Sequence, residues 1–123
     1  MKITIARSNG RKNSRLTLKE IKLMLTIVPD DWKTGFNKIL INNRHSGCVT
    51  VSRYLKRIII SDQNASDIAV AHRLFSELGE HHLSEEMYGQ FGRNKISKTH
   101  RKELEGSISK LVDQYREERE LLI

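Results

Sequence analysis

Lys38-Ile39-Leu40-Ile41-Asn42, Cys48-Val49-Thr50-Val51-Ser52 and Arg57-Ile58-Ile59-Ile60-Ser61 are three five-residue runs rich in β-branched side chains. Two heavy atoms on Cβ restrict χ1 and suit a pleated, half-buried surface better than a helix. Between the first two runs lie Asn43-Arg44-His45-Ser46-Gly47, with the Asn and Gly that hairpin loops require. Residues 38–61 therefore predict a small antiparallel β-meander.

Helical signals flank this block on both sides. Upstream, Thr17 with Glu20 three residues later forms a capping box, and Leu18, Ile21, Leu25 and Val28 make an apolar stripe that ends at Pro29. Downstream, Ser66 caps a second helix, with Asp67 favourably placed at its positive N-terminus. Ile68, Ala71, Phe75 and Leu78 line one face of that helix down to about Leu83. Tyr88-Gly89-Gln90-Phe91-Gly92-Arg93-Asn94 reads as a loop. A last helix runs from about Lys98 to Leu121, with Leu104, Ile108, Leu111 and Tyr115 at helical spacing. Ahead of everything, Lys2-Ile3-Thr4-Ile5 reads as a short strand leading into a polar arm that ends near residue 16. The fold class is α+β: an N-terminal helix, a small antiparallel meander, then two longer helices, in a single domain over residues 1–123.

A chain of 123 residues buries a core without staples, and with only 6% aromatic residues that core must be aliphatic. No apolar run exceeds four residues, which is too short to span a membrane. A single cysteine, Cys48, excludes an internal disulfide framework, and no secretory leader pattern is present, so a cytoplasmic location is expected.

Charge is distributed unevenly. Residues 1–60 carry thirteen Lys/Arg against three acids, net +10, whereas residues 61–123 carry nine against twelve, net −3. No acid precedes Glu20. Such a front half suits a nucleic acid, or an acidic or nucleic-acid-mimicking surface on another protein. Arg7, Arg11, Lys12 and Arg15 in the arm, with Arg44, Arg53, Lys56 and Arg57 around the strands, are the candidate partner-binding residues.

Phe75-Ser76-Glu77-Leu78-Gly79-Glu80-His81-His82-Leu83 is the most specific segment. It resembles the zinc-binding helix of the zincin metallopeptidases, H-E-x-x-H in its common form H-E-L-G-H-H-L, especially the compact ImmA/IrrE-like type. Glu77, Leu78, Gly79 and His81 fit that pattern, while Ser76 and Glu80 stand where the two zinc-binding histidines would be. The resemblance covers roughly residues 17–115. It implies a helix and then a β-meander preceding the motif helix, a neighbouring strand bordering the cleft, and a third metal ligand from a later helix. Glu103 or Glu105 in Lys102-Glu103-Leu104-Glu105-Gly106 is the counterpart of that ligand.

The departures matter chemically. Zinc hydrolysis needs two imidazoles at i and i+4, both about 2.0–2.1 Å from one ion, with the intervening Glu acting as base on the metal-bound water. Ser76 is a poor ligand and Glu80 alone makes no site, so the resemblance implies loss of peptidase activity. Three rearranged sites remain open for a retained zinc. Glu77 and His81 form their own i, i+4 pair; His45 and Cys48 have knuckle-like spacing and could join His81 or His82; His72 lies one turn before Ser76. His81-His82 beside Glu85-Glu86 is more simply an exposed polar helix end, and Trp32 a packing residue.

The expectation that follows is a non-enzymatic binding or inhibitor protein on an eroded zincin scaffold. Small, basic, single-domain chains of this kind are typical of phages and mobile elements, where they block host or defence nucleoprotein machines such as CRISPR effectors. Two alternatives stand beside it. One is a metal-binding protein or zinc peptidase with altered ligands. The other is a non-specific nucleic-acid binder, although the sequence presents no base-reading helix or aromatic platform.

Overall fold

The computed structural model describes residues 3–7, 16–42, 48–52, 54–61, 66–88 and 98–122, with the backbone alone at residues 7, 48 and 85–88. Their order is β1 (Thr4–Arg7), α1 (Leu18–Ile27), α2 (Asp30–Lys33), β2 (Lys38–Asn42), β3 (Cys48–Ser52), β4 (Arg57–Ser61), α3 (Asp67–Tyr88) and α4 (Lys98–Glu118), closed by a 3-10 turn over Arg119–Leu122. The class is α+β, as the sequence predicts, and the three central strands have the expected bounds.

Their arrangement differs from a meander. The strands lie in the order β1-β2-β4-β3, with β1 parallel to β2, β2 parallel to β4, and β3 antiparallel to β4. The physical reason lies in their composition. Leu40 and Ile59 are partly buried on the second face of β2 and β4, so these near-continuous aliphatic runs belong in the sheet interior. In β3, by contrast, buried Val49 is followed by exposed Thr50, an alternation that suits an edge. The predicted hairpin loop 43–47 lies outside the described residues.

Register then assembles one apolar face. Ile5, Ile39, Ile58 and Val51 are aligned across the four strands, and Ile41, Ile60 and Val49 form the next row. Ile21, Met24 and Ile27 from α1, Leu74, Phe75 and Leu78 from α3, and Leu104, Ile108 and Val112 from α4 complete one core with these rows.

Local signals fix the helix starts. The Thr17 N–H donates to Glu20 Oε1 at 2.8 Å and the Glu20 N–H to Thr17 Oγ1 at 3.2 Å, a reciprocal capping box. Ser66 Oγ accepts from the Ala69 N–H at 3.1 Å at the head of α3. That helix continues five residues past the expected Leu83 and takes in Tyr88, the first residue of the predicted loop; the rest of that loop, residues 89–94, lies outside the described residues. The short α2 following Pro29 was not legible as a helix; Lys33 Nζ donates to the Leu25 carbonyl at 2.6 Å and so ties it to the end of α1.

Two tertiary contacts set how α3 sits. At its N-terminus, Asp67 accepts from Arg119 Nη1 at 2.6 and 2.7 Å and from the Tyr115 hydroxyl at 2.9 Å. Burial is the largest single influence on Asp67 and would raise its pKa, but the hydrogen bonds from Arg119 and Tyr115 outweigh it and hold the carboxyl below its ordinary value. Burial and the hydrogen bond to Asp67 push the Tyr115 hydroxyl the other way, well above the usual phenol range. Further along, Gly79 admits two neighbours: an added Cβ would lie 2.8 Å from Leu104 Cδ1 and 2.9 Å from Trp32 Cζ3. Among the described residues no helix is long and apolar enough to cross a membrane.

Candidate functional site: the groove between α3 and α4

One turn of α3 separates Ser76 from Glu80, which places both on the same helix face. With His72 they open into a groove of about 440 Å3 between α3 and α4. The opposite wall carries Arg101, Glu105 and Ser109, and Leu104, Ile108 and Val112 give it an apolar base. Both departures from the metallopeptidase pattern, and one of the two candidate third ligands, thus face a single space.

An ion pair spans its two walls. Arg101 Nη1 donates to Glu80 Oε1 at 2.8 Å. Both groups are more than a third exposed, so the pair contributes no more than about 1 kcal/mol to stability. Its chemical consequence is larger. A guanidinium is permanently protonated and has no lone pair for a metal, so it supplies the positive charge that Glu80 needs without providing a ligand. Ser76 adds only a neutral hydroxyl. Glu103 is exposed, does not line the groove, and accepts at its backbone carbonyl from Ser107 Oγ. Among the described residues, no three His, Cys, Asp or Glu side chains come together in a metal-holding group. The donor set does not fit the zinc that the resemblance implies.

The rearranged sites fare as follows. Glu77 and His81 are both half-buried on successive turns of α3, but no third ligand joins them among the described residues. Burial, and secondarily the nearby Glu80, push the Glu77 carboxyl above its ordinary value, with Arg73 partly offsetting them. His82 stacks on Trp32, ring centroids 6.4 Å apart and planes at 28°, which engages it with α2. Trp32 itself is partly buried against the core, the packing role expected of it. His72 is exposed at the groove. His45 lies outside the described residues; the Cys48 backbone pairs opposite Ser61, and its side chain lies outside them.

Of the eight basic candidates, Lys56 and Arg57 have described side chains, at the β3–β4 turn. Lys56 is exposed with a left-handed backbone, φ 54°, and Arg57 is half-buried beside Lys38 of β2. Arg57 Nε is buried without a hydrogen-bond partner among the described residues. Arg7 ends β1 with its side chain outside them, and Arg11, Lys12, Arg15, Arg44 and Arg53 lie outside them entirely.

Arg101 is the site residue that sequence reasoning missed. Its spacing three residues before Leu104 puts it on the side of α4 that packs toward α3, but only that packing brings it to Glu80. No protein-family model matches the chain, nor does any curated protein or any solved structure.

Proposed function

We propose that the chain is a non-enzymatic binding protein on a zincin-like scaffold, acting on a protein or nucleoprotein partner through its basic first half. The observation that carries this reading is the Arg101–Glu80 ion pair, which places a guanidinium rather than a metal ligand against Glu80 in the groove that Ser76 also lines. A hydrolytic site built there would have to break that pair and would still hold one hydroxyl in place of an imidazole. The order helix, strands, motif helix, later helix and the packing of edge strand β3 along α3 are compatible with the scaffold, whereas the strand order β1-β2-β4-β3 departs from the meander expected of it. With catalysis removed, the remaining asset is electrostatic: net +10 over residues 1–60 draws an acidic surface at long range.

The test has two arms. Supplied with zinc or cobalt and an unstructured protein substrate, wild type and Glu77→Gln are expected to be equally inert; cleavage abolished by Glu77→Gln would overturn the reading. In co-precipitation, a protein partner should stay bound at high salt while duplex DNA dissociates. The reverse order would favour plain phosphate binding.

A further inference from the structure

The helical layer extends past one edge of the sheet. Among the described residues β1 pairs with β2, and none of them pairs with its other side. The Thr4 N–H donates to the Asn37 carbonyl at 2.9 Å, and the register continues from there. In a parallel ladder of this phase Thr4 and Ala6 turn their backbone groups to β2, and Ile5 turns its N–H and C=O outward. Beside that edge is a groove of about 660 Å3, lined by Ile3 just ahead of β1, Ile5 within it, Leu25 and Lys22 of α1, and Lys33 at α2. This is the shape left when a sheet lacks a fifth strand over a floor already built for it.

We propose that this groove receives an extended acidic segment of the partner protein, added as a fifth strand on β1. The proposal rests on the partner-binding reading above and narrows its partner. Backbone hydrogen bonds to Ile5 would give the register, and alternate apolar side chains would descend onto Ile3, Ile5 and Leu25. Charge selects the occupant. Lys22 is exposed at the groove, and β1 continues into a stretch with Arg7, Arg11, Lys12 and Arg15 and no acid before Glu20. The one carboxylate at the groove, Asp30, is paired with Lys33 Nζ at 3.1 Å. An acidic strand is attracted by the same charges.

The experiment uses the full chain and two blocked seven-residue peptides, one alternating glutamate with valine and one alternating lysine with valine. In amide-resolved NMR titrations the acidic peptide should shift Ile5 and the α1 residues Lys22–Thr26, and the lysine peptide should not. Ile5→Pro removes the outward N–H and the apolar side chain on the groove floor but no ladder bond to β2, and should weaken binding at least about tenfold. Should that variant fold poorly, N-methylating the acidic peptide at alternate residues on wild type makes the same test and should abolish binding. Absence of acidic-peptide binding, shifts confined to other surfaces, or self-association through β1 each overturns the strand addition. If a protein partner is nonetheless retained at high salt, the wider binding reading survives that failure.

Discussion

Replacing Asp67 with Asn tests the electrostatic clamp that joins the two long helices. Asp67 is 14% exposed and Arg119 36%, and the two are joined at 2.6 and 2.7 Å, with the Tyr115 hydroxyl a third contact at 2.9 Å. Hydrogen bonds to a charged group contribute about 1.5–3 kcal/mol each. Arg119 regains water once released, which lowers that figure, and the Asn oxygen still accepts from Tyr115. The net loss expected for Asp67→Asn is therefore about 2 kcal/mol at neutral pH. Its pH dependence has a definite sign. The folded-state pKa of Asp67 lies below the unfolded value of 3.8, so the carboxylate's contribution is complete above that value and fades as pH falls through the folded one. Urea unfolding of wild type and variant should give parallel stabilities from neutral pH down to about pH 5, converging on further acidification. A neutral-pH difference under about 0.5 kcal/mol, or one that does not narrow in acid, would refute the reasoning.

Other substitutions probe the motif helix. Gly79→Ala should gain about 1 kcal/mol of helix propensity but lose about 1–3 through contact with Leu104 and Trp32, a net destabilisation read as a lower thermal midpoint. A raised midpoint would mean that Trp32 and Leu104 yield freely. Glu77 has a folded pKa above its ordinary 4.5, so its ionised form opposes folding, and the penalty is relieved as pH falls through the folded value. Glu77→Gln should accordingly stabilise the protein by a fraction of a kcal/mol at neutral pH and give no gain near pH 4 in urea titrations. The double variant Ser76→His/Glu80→His returns two imidazoles to the face shared with Glu105, and on a zincin-like scaffold it should bind close to one cobalt with a tetrahedral visible spectrum. No cobalt spectrum from a folded variant would count against that scaffold.

Most of the fold was legible because its signals are local. Thr17 and Ser66 cap helices using residues three positions away, and the β-branched runs needed no distant information to be strands. Strand order was less accessible, since adjacency in sequence suggested that β2 pairs with β3 when β4 lies between them. Leu40 and Ile59 carried the missing clue: two strands apolar at successive positions are buried on both faces, and such strands take the sheet interior. The groove itself was half legible. Spacing alone put Ser76 and Glu80 on one face, but Arg101 reaches Glu80 across twenty-one residues of chain, and only the packing of α4 on α3 makes them neighbours. The edge groove beside β1 left no trace in sequence, because it depends on where α1 and α2 end up relative to a sheet edge.

The metal content of the purified, tag-free protein, measured by mass spectrometry without added chelator, bears most directly on the proposal that the Arg101–Glu80 pair stands where a zincin would hold its metal. Far less than one zinc per chain is predicted, with no change in thermal midpoint when zinc is supplied. Near one zinc per chain, lost on chelation together with stability, would contradict it and return the chain to the metalloproteins.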